Sequence, residues 1–252
     1  MTHLSVNLNA IAMLRNRRSV PWPSVVGMAR IALDAGADGI TVHPRPDERH
    51  IRRTDVFELA ALLKQDYPGR EFNIEGYPSD DFLALVERAA PEQVTFVPDD
   101  PLQATSDHGW DIEANQALLV PAIERMHKAG VRVSLFIDAE PGAPAAASAV
   151  GADRVELYTG PFGGAQRPVE QGQYLAALKA TADSAREAGH NARAGGQGLK
   201  VNAGHDLNLV NLPLLKAAVP DLAEVSIGHA ITADALINGM AEAVRLYKAA
   251  CA

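Results

Sequence analysis

The stretch DAGADGITV, residues 34–42, carries the end of a helical segment, a glycine and the start of an apolar strand. Gly36 stands at the junction, where a residue in the left-handed conformation commonly ends a helix. The same order recurs in KAGVRVSL (128–135) and AVGADRVEL (149–157), again with a glycine at the junction. A junction that repeats along the chain predicts a regular alternation of helices and strands.

The whole sequence divides into eight pairs of segments, each with a strand-like run followed by a helical run. The strand-like runs are LSVNLNA (4–10), DGITVHP (38–44), EFNIEGY (71–77), QVTFVPD (93–99), RVSLFID (132–138), RVELYTG (154–160), LKVNAGH (199–205) and AEVSIGH (223–229). The helical runs cover 25–34, 55–67, 81–90, 116–128, 143–150, 170–187, 209–219 and 233–249. Eight such units in 252 residues predict a (β/α)8 TIM barrel that forms a single domain over residues 1–252. An open doubly wound sheet is the alternative, although no G-x-G-x-x-G follows the first strand.

Composition argues against several classes of protein. The formal net charge of −8 disfavours a general nucleic-acid or anionic-membrane binder. The one cysteine, Cys251, offers neither an internal disulfide nor a thiolate metal cluster. No apolar run reaches the roughly 18 residues of a membrane-spanning helix, and the N-terminus lacks the layout of a signal peptide. We therefore expect a cytoplasmic protein with no nucleic-acid or membrane partner.

Polarity alternates along the predicted strands, and successive strand side chains point to opposite faces of a sheet. The alternate residues that share one face are apolar and are expected to face the helices; examples are Val6, Ile40, Val133 and Val225. The residues on the opposite face are polar or charged; they are Ser5, Asn7, Thr41, His43, Asn73, Glu75, Ser134, Asp138, Glu156 and Ser226. Buried polar groups are costly unless they are paired, so this pattern predicts a polar barrel interior that opens into a ligand cavity.

Titratable side chains end five of the predicted strands, and barrel enzymes build their active sites at that end. They are His43, Glu75, Asp138, His205 and His229. A single histidine at a strand end is often only a hydrogen-bonded structural residue. Several histidines and a glutamate that converge on one barrel mouth form a plausible acid–base set near neutral pH.

Basic residues and glycines at the same end indicate an anionic ligand. Arg15, Arg17 and Arg18 follow strand 1, and Arg45, Arg49, Arg52 and Arg53 surround His50 after strand 2. Most of these are expected to be solvated surface charges, but arginines at the site end of an acidic protein suit phosphate. The fragments NAGHDLN (202–208) and SIGHAIT (226–232) offer backbone N–H groups at helix starts, where barrels often hold phosphate.

Two long loops are candidates for a lid. They are PDDPLQATSDHGWDIEANQ (98–116), after strand 4, and TGPFGGAQRP (159–168), after strand 6. Loops of this length in a compact domain are usually functional or mobile.

Three chemistries fit these residues to different degrees. A metal-dependent hydrolase would use His43, His50, Glu75 and His205, but strand 1 lacks the His-x-His pair of many metal barrels. A Schiff-base aldolase would use Lys200, which opens strand 7 and so lies at the opposite end from the site. Acid–base chemistry on a phosphorylated carbonyl or amine, without metal or cofactor, fits best. A non-catalytic binding barrel would keep the arginines but would not need Glu75 with the histidines.

Seven stretches resemble the pyridoxine 5′-phosphate synthase family, in order and over nearly the whole chain. They are VNLNAIAMLRNRR (6–18), AGADGITVHPRPDERHI (35–51), FNIEGY (72–77), VSLFIDA (133–139), GADRVELYTG (151–160), GLKVNAGHDLN (198–208) and SIGHAI (226–231). The resemblance implies a TIM barrel with extra helices that assembles as a homo-oligomer, an octamer in known members. It also implies condensation of 3-amino-2-oxopropyl phosphate with 1-deoxy-D-xylulose 5-phosphate to pyridoxine 5′-phosphate, phosphate and water.

The resemblance also implies roles for individual residues. His43 and Glu75 match the general bases, and His205 matches the general acid. Contacts to the deoxyxylulose phosphate are implied for Arg45, His50 and Thr105, and contacts to the amino ketone or its phosphate for Asn7, Arg18, Asp206, Gly228 and His229. No metal or cofactor is implied. The sequence departs from the family in strand 1, where Asn9 and Ala10 replace an Asp-His pair found in many members.

Overall fold

A computed structural model describes residues 1–99, 103, 105–188 and 199–252. Within these residues eight parallel strands close a barrel in sequence order. The strands are β1 His3–Asn7, β2 Gly39–Val42, β3 Glu71–Gly76, β4 Gln93–Phe96, β5 Arg132–Ile137, β6 Arg154–Tyr158, β7 Lys200–Gly204 and β8 Glu224–Ile227. The barrel closes because β1 pairs with both β2 and β8: Ser5 lies opposite Gly39 on one side and Ser226 on the other. The predicted (β/α)8 fold is confirmed.

Helices surround the barrel and include two beyond the predicted set. They are α1 Asn9–Asn16, α2 Val25–Asp34, α3 Arg53–Asp66, α4 Asp80–Ala89, α5 Gln116–Lys128, α6 Ala143–Ala149, α7 Gly160–Gly164, α8 Pro168–Glu187, α9 Leu212–Ala218, α10 His229–Asn238 and α11 Met240–Ala250. The two extra helices are α1, directly after β1, and α7, within the glycine-rich loop after β6. None of the helices described is both long and apolar enough to cross a membrane.

One helix that was predicted to be continuous is broken in the structure. The run 233–249 forms parts of two helices, α10 and α11, which meet at Gly239. Gly239 has φ +78°, a left-handed conformation that a glycine adopts without a steric penalty and that breaks the helical hydrogen-bond ladder. The glycine junctions are confirmed, since Gly36, Gly130 and Gly151 have φ +106°, +78° and +92°.

Strand parity separates an apolar layer from a polar interior, as predicted. Val6, Ile40 and Ile74 point outward and are fully buried between the barrel and the helices. Burial of such side chains contributes about 1.5–3 kcal/mol each to folding. This layer is continuous around the barrel and forms its main hydrophobic core.

Hydroxyl and amide side chains pair with one another inside the barrel. The hydroxyls of Ser5 and Thr41 lie 2.6 Å apart, Asn73 Nδ2 donates to Thr41 Oγ1 at 3.4 Å, and Thr95 Oγ1 donates to Asn73 Oδ1 at 3.1 Å. These bonds link β1, β2, β3 and β4 across the interior. They satisfy groups that would otherwise be costly to bury.

Charged side chains fill the amino-terminal end of the barrel. Arg154 Nη1 lies 3.8 Å from Glu71 and 3.7 Å from Glu224, and it donates to Asn202 Oδ1 at 3.2 Å. Lys200, at the exposed start of β7, belongs to this end as well. The aldolase interpretation therefore places its lysine at the far end of the barrel from the cavity described next.

Candidate active site

A cavity of ≈ 320 Å³ opens at the carboxyl ends of the strands. Side chains from β1, β3 and β6 and segments that follow β2, β7 and β8 line it. The lining includes the predicted residues Asn7, His43, Arg45, His50, Glu75, Thr105, His205, Asp206, Gly228 and His229. Residues separated by most of the chain length therefore meet at the mouth of the barrel.

Two residues singled out from the sequence are not brought to this cavity. Arg18 is exposed just beyond the carboxyl end of α1, and Asp138 is half-buried after β5. Neither belongs to the cavity lining. The geometry of this chain does not support the assignment of Arg18 to a substrate contact, and that assignment stays a prediction.

A larger cavity of ≈ 650 Å³ adjoins the first and shares His43 and Arg45 with it. Its remaining walls include apolar residues of α4, such as Phe82 and Leu85, and it contacts neither Glu75 nor His205. Size alone does not identify a catalytic cavity. We assign the chemistry to the smaller cavity because that one holds the whole acid–base set.

Glu75 is a buried carboxyl group on β3 that shares the cavity with Glu156 on β6. Asn7 Nδ2 donates to Glu75 Oε2 at 3.4 Å. Burial raises the pKa of Glu75 well above its ordinary value, and the negative charges of Glu156 and Asp99 raise it further. Burial also raises the pKa of Glu156 to about 7. Near neutral pH the two carboxyls therefore hold a proton that ordinary glutamates would have lost.

His43 lies between two carboxyl groups. Its backbone N–H donates to Asn9 Oδ1 at 2.9 Å, which fixes the residue at the end of β2. Ring Nδ1 is 3.8 Å from Glu75 Oε2, and ring Nε2 is 3.9 Å from Asp99 Oδ2. Burial and the Arg45 charge lower the pKa of His43 well below its ordinary value. His43 is therefore neutral at pH 7 and able to accept a proton.

His50 has a defined tautomer. The backbone N–H of Ile51 donates to His50 Nδ1 at 2.9 Å, so Nδ1 is an acceptor and Nε2 carries the ring proton. Burial, with the charges of Arg45 and Arg49, lowers the pKa of His50 to about 4. His50 thus offers the cavity a neutral N–H donor over the physiological pH range.

His205 sits on an unusual turn after β7. His205 and Asp206 both have left-handed backbones, with φ +79° and +54°, which is rare for residues other than glycine. The Thr159 hydroxyl hydrogen-bonds to the carbonyl of His205, and Asn211 Nδ2 donates to the carbonyl of Asp206 at 2.9 Å. These bonds hold a strained turn in place, as is common at functional sites.

Two aromatic rings pack around the imidazole of His205. The centroids of Phe136 and Tyr158 lie 5.1 Å and 5.5 Å from it. Burial lowers the pKa of His205, although the negative charges of Asp206 and Asp99 oppose the shift. At neutral pH the ring is mainly neutral, so a general-acid role requires that it first receive a proton.

Two glycines let main chain approach the acid–base groups. A Cβ added to Gly204 would lie 2.4 Å from Glu156 Oε1, and one added to Gly228 would lie 3.1 Å from Asn7 Oδ1. Gly228 also precedes α10, whose first residue is His229. The cavity therefore meets the amino-terminal end of a helix, which carries N–H groups and partial positive charge suited to an anion.

Three residues outside the set implied by the family resemblance also contribute to the site. Asp99 accepts from Arg45 Nη2 at 2.5 Å and from Ser106 Oγ at 2.7 Å. Asp99 is separated from the end of β4 by Val97 and Pro98, but it is the last residue of the predicted run QVTFVPD (93–99), so its place at a strand end could have been read from the sequence. Glu156 was predicted to point inward, but only the cavity reveals its closeness to Glu75. Ser106 lies in a long loop, where the alternation of strand faces cannot be used to predict which side chains point inward.

Asn9 and Ala10 replace an Asp-His pair found in many family members, and the structure explains the first of the two replacements. Asn9 accepts the His43 N–H through its side-chain oxygen, a contact that needs no charge. Ala10 lines the cavity with a methyl group. Of the two candidate lid loops, residues 100–102 and 104 lie outside the described residues, and the loop after β6 contains the short helix α7.

The metal-ligand set considered for a hydrolase was His43, His50, Glu75 and His205. In the part of the chain that the structure describes, no group of three or more His, Cys, Asp or Glu residues has the arrangement of a metal site. The side chains that meet here include histidines, carboxyls and an arginine.

Comparison with known proteins places the chain in a family. A family model described as "Pyridoxal phosphate biosynthesis protein PdxJ" matches residues 4–252. The chain belongs to this family. Two relatives named "Pyridoxine 5'-phosphate synthase" come from Chelativorans sp. (strain BNC1) and Mesorhizobium japonicum. Each is 59% identical over 98% of both chains, across 251 and 249 residues.

Solved structures with low sequence identity to the PdxJ-family chain share its fold. A 3-hexulose-6-phosphate synthase superposes with a TM-score of 0.62 at 16% identity and covers 100% of each chain. Phosphoribosyl anthranilate isomerase from Thermotoga maritima has a TM-score of 0.60 at 12% identity and covers 100% of this chain and 98% of its own. At these identities the likeness supports the barrel architecture alone.

Proposed function

We propose that the chain condenses 3-amino-2-oxopropyl phosphate with 1-deoxy-D-xylulose 5-phosphate and forms pyridoxine 5′-phosphate, inorganic phosphate and water. The observation that carries the proposal is one cavity that joins buried His43 and Glu75 and half-buried His205 to cationic Arg45. The motifs that match the family supply these residues, and the relatives at 59% identity bear the corresponding name.

The acid–base groups have protonation states that suit this chemistry. The substrate amine forms an imine with the ketone of the second substrate, so no enzyme lysine is required. Later steps remove and return protons on carbon and oxygen. Neutral His43 can accept a proton, and burial raises the pKa of both Glu75 and Glu156, that of Glu156 to about 7, which favours proton exchange by these carboxyls. His205 receives one proton in an early step and delivers it to a leaving hydroxyl in a later one.

Two groups of hydrogen-bond donors in the cavity support binding of the two phosphates. Arg45 and the Nε2–H of His50 lie on the β2 side, and Thr105 borders the same cavity. Gly228 and His229, at the start of α10, line the cavity on the β8 side. We assign the ketose phosphate to the first group and the amino-ketone phosphate to the second. Asn7 and Asp206 complete the contacts to the amino ketone.

The chain is further proposed to act as a homo-oligomer, with an octamer as the specific expectation from the family resemblance. Met13 and Leu14 on α1 and Leu236 and Ile237 on α10 are exposed apolar residues on helices that contact each other. Exposed apolar clusters commonly mark interfaces. Light scattering coupled to size-exclusion chromatography tests the assembly, and a monomeric mass at micromolar concentration would contradict it.

Incubation of the purified protein with both phosphates tests the reaction. Pyridoxine 5′-phosphate, identified by mass and fluorescence, is expected only when both substrates are present. Activity is expected to persist after exhaustive chelation, because the acid–base set needs no metal. Absence of product with the wild-type chain would reject the proposed function, and loss of activity that one divalent ion restores would favour metal-dependent chemistry.

A further inference from the structure

Asp99 occupies a central position in the active site. It follows β4, is buried, and contacts two residues that line the catalytic cavity. Its Oδ2 accepts from Arg45 Nη2 at 2.5 Å and from Ser106 Oγ at 2.7 Å. The same oxygen lies 3.9 Å from His43 Nε2. One carboxylate oxygen therefore touches a cation and a loop hydroxyl and faces a base.

The second carboxyl oxygen of Asp99, Oδ1, is buried. Oδ1 accepts no hydrogen bond from any of the described residues. A buried carboxyl oxygen without a hydrogen-bond donor is costly, so its retention needs a compensating interaction. Arg45 provides that compensation on one side only.

Contacts on both arms fix the guanidinium of Arg45. Nη2 donates to Asp99, and Nη1 donates to the carbonyl of Gln103 at 3.1 Å. An arginine held on both sides presents its remaining N–H groups in one orientation. This preorganisation favours binding of an oxyanion, because little side-chain freedom is lost when the ligand arrives.

The charge of Asp99 also reaches the proton-transfer groups. It raises the pKa of Glu75 and opposes the burial-induced fall in the pKa of His205. Both effects favour the protonated form of a group that lines the cavity. A neutral residue of the same shape would keep the packing and lose this influence.

We propose that Asp99 is a positioning residue of this active site, which orients Arg45 toward a substrate phosphate and supplies a fixed negative charge beside His43. The proposal rests on the proposed function, since it assigns Arg45 to the ketose phosphate. Asp99 acts through Arg45, His43 and Glu75 rather than by contact with the reacting atoms. A purely structural role for Asp99 would affect folding stability without changing substrate affinity or the pH profile.

Asp99→Asn is the decisive variant, because asparagine keeps the volume and one acceptor oxygen while removing the charge. KM and the calorimetric Kd for 1-deoxy-D-xylulose 5-phosphate are expected to rise roughly fivefold to tenfold, since charge-assisted hydrogen bonds are about twice as strong as neutral ones. The acidic limb of the kcat/KM pH profile is expected to move to lower pH, because Glu75 loses a neighbour that raises its pKa.

Asp107→Asn is the matched control. Asp107 is an exposed carboxylate in the same loop and does not line the cavity. The same chemical change there is expected to leave KM and the pH profile within a factor of two of wild type. An equal effect in both variants would mean that removing any negative charge from this loop weakens binding, and would overturn the proposal.

The outcomes separate this proposal from the proposed function. If wild-type protein makes no product, the function fails; if wild type is active and Asp99→Asn matches it in Kd and pH profile, only the role of Asp99 fails. Should Asp99→Asn not fold, Asp99→Glu keeps the charge on a longer arm. That variant is expected to keep the acidic limb and to weaken ketose phosphate binding, and unchanged binding would overturn the positioning role.

Discussion

Single residues in this site have protonation states that differ from those of the same residues in water. Burial and the charges of Glu156 and Asp99 raise the pKa of Glu75 well above its ordinary value, while burial lowers the pKa of His43 well below its own. A carboxylate with a raised pKa is a stronger base than an ordinary glutamate, and an imidazole with a lowered pKa is neutral at pH 7 and has a ring nitrogen free to accept a proton. The reactivity of each group therefore depends on its neighbours as much as on its own chemistry.

Glu75→Gln keeps the volume and most hydrogen bonds of the side chain but cannot take a proton. Turnover is expected to fall by about 10²–10⁴-fold, while calorimetric binding of one substrate changes much less. Glu87→Gln, an exposed change on α4, serves as the control. Retention of most turnover would place the base elsewhere, with Glu156 the next candidate because it lines the cavity.

His43→Asn tests the partner base in the same assay. A comparable loss is expected, because the ring and Glu75 lie on one side of the same cavity with their nearest atoms 3.8 Å apart. The double variant Glu75→Gln/His43→Asn is expected to lose less than the product of the two single losses, since groups on one proton path are not additive. Full additivity would mean that the two residues act in separate steps.

Arg45→Ala removes a buried cation from the cavity wall. Substrate binding is expected to weaken roughly tenfold to a hundredfold, the usual value of a charged hydrogen bond, and fluorescence or calorimetric titration with the ketose phosphate measures it. Arg30→Ala, at an exposed ion pair with Asp66, is the control and should bind as wild type. The same titration on Arg18→Ala tests the assignment of Arg18, which the geometry of this chain does not support.

At the scale of elements, the ends of neighbouring strands approach each other too closely for a side chain at some positions. At Gly204, the carboxyl end of β7 lies close to the side chain of Glu156 on β6. At Gly228, the residue after β8 lies close to the side chain of Asn7 on β1. These glycines are needed for close approach and not for backbone conformation, since neither has a positive φ. The elements thus bring main chain against the carboxyl of Glu156 and the amide of Asn7, two side chains of the cavity.

Gly204→Ala places a Cβ 2.4 Å from Glu156 Oε1, so the carboxyl must move. The free energy of unfolding is expected to fall by about 1–3 kcal/mol, with a larger proportional loss of turnover, as measured by urea denaturation and by the product assay. Gly172→Ala within α8 meets open space and is expected to be neutral or slightly stabilising. Wild-type behaviour of Gly204→Ala would show that Glu156 can shift freely without consequence.

At the scale of the whole molecule, the barrel separates a reactive end from a charged structural end. At the amino-terminal end Glu224 has a pKa raised well above its ordinary value by burial and by the charge of Glu71. The pKa of Glu71 is lowered despite its burial, by hydrogen bonding to Glu224 and by Arg132 and Arg154. We infer that Glu224 holds the proton of this pair and donates it to Glu71.

The shift at Glu224 predicts how stability depends on pH. A carboxyl whose pKa is raised by folding stabilises the native state fully below its unfolded pKa, and the contribution is lost as pH rises through the folded pKa. Glu224→Gln removes this titration. Relative to wild type, the variant is expected to gain stability as pH rises from about 5 to about 8, as followed by urea denaturation at each pH. A constant difference across that window would mean that Glu224 is ionised in the folded protein.

The sequence alone determined which side chains line the barrel interior. The alternation of strand faces is a local property of extended backbone, so Ser5, Thr41, Asn73 and Glu75 were assigned inward without any knowledge of their neighbours. The helix ends at Gly36, Gly130 and Gly151 are equally local. The prediction of one continuous helix over 233–249 was wrong, because the helical pattern does not reveal that Gly239 adopts a φ of +78°. That conformation depends on how α10 and α11 pack.

Only the tertiary structure decided which of these residues form the site and in what protonation state. Closure of the barrel places Asn7 on β1 beside Glu75 on β3 and Gly204 on β7 against Glu156 on β6. The pKa shifts follow from desolvation and from charges that distant segments contribute, and neither quantity is encoded by a residue and its sequence neighbours. For the same reason Asp99 became significant, and Arg18 lost geometric support, only when the fold was known.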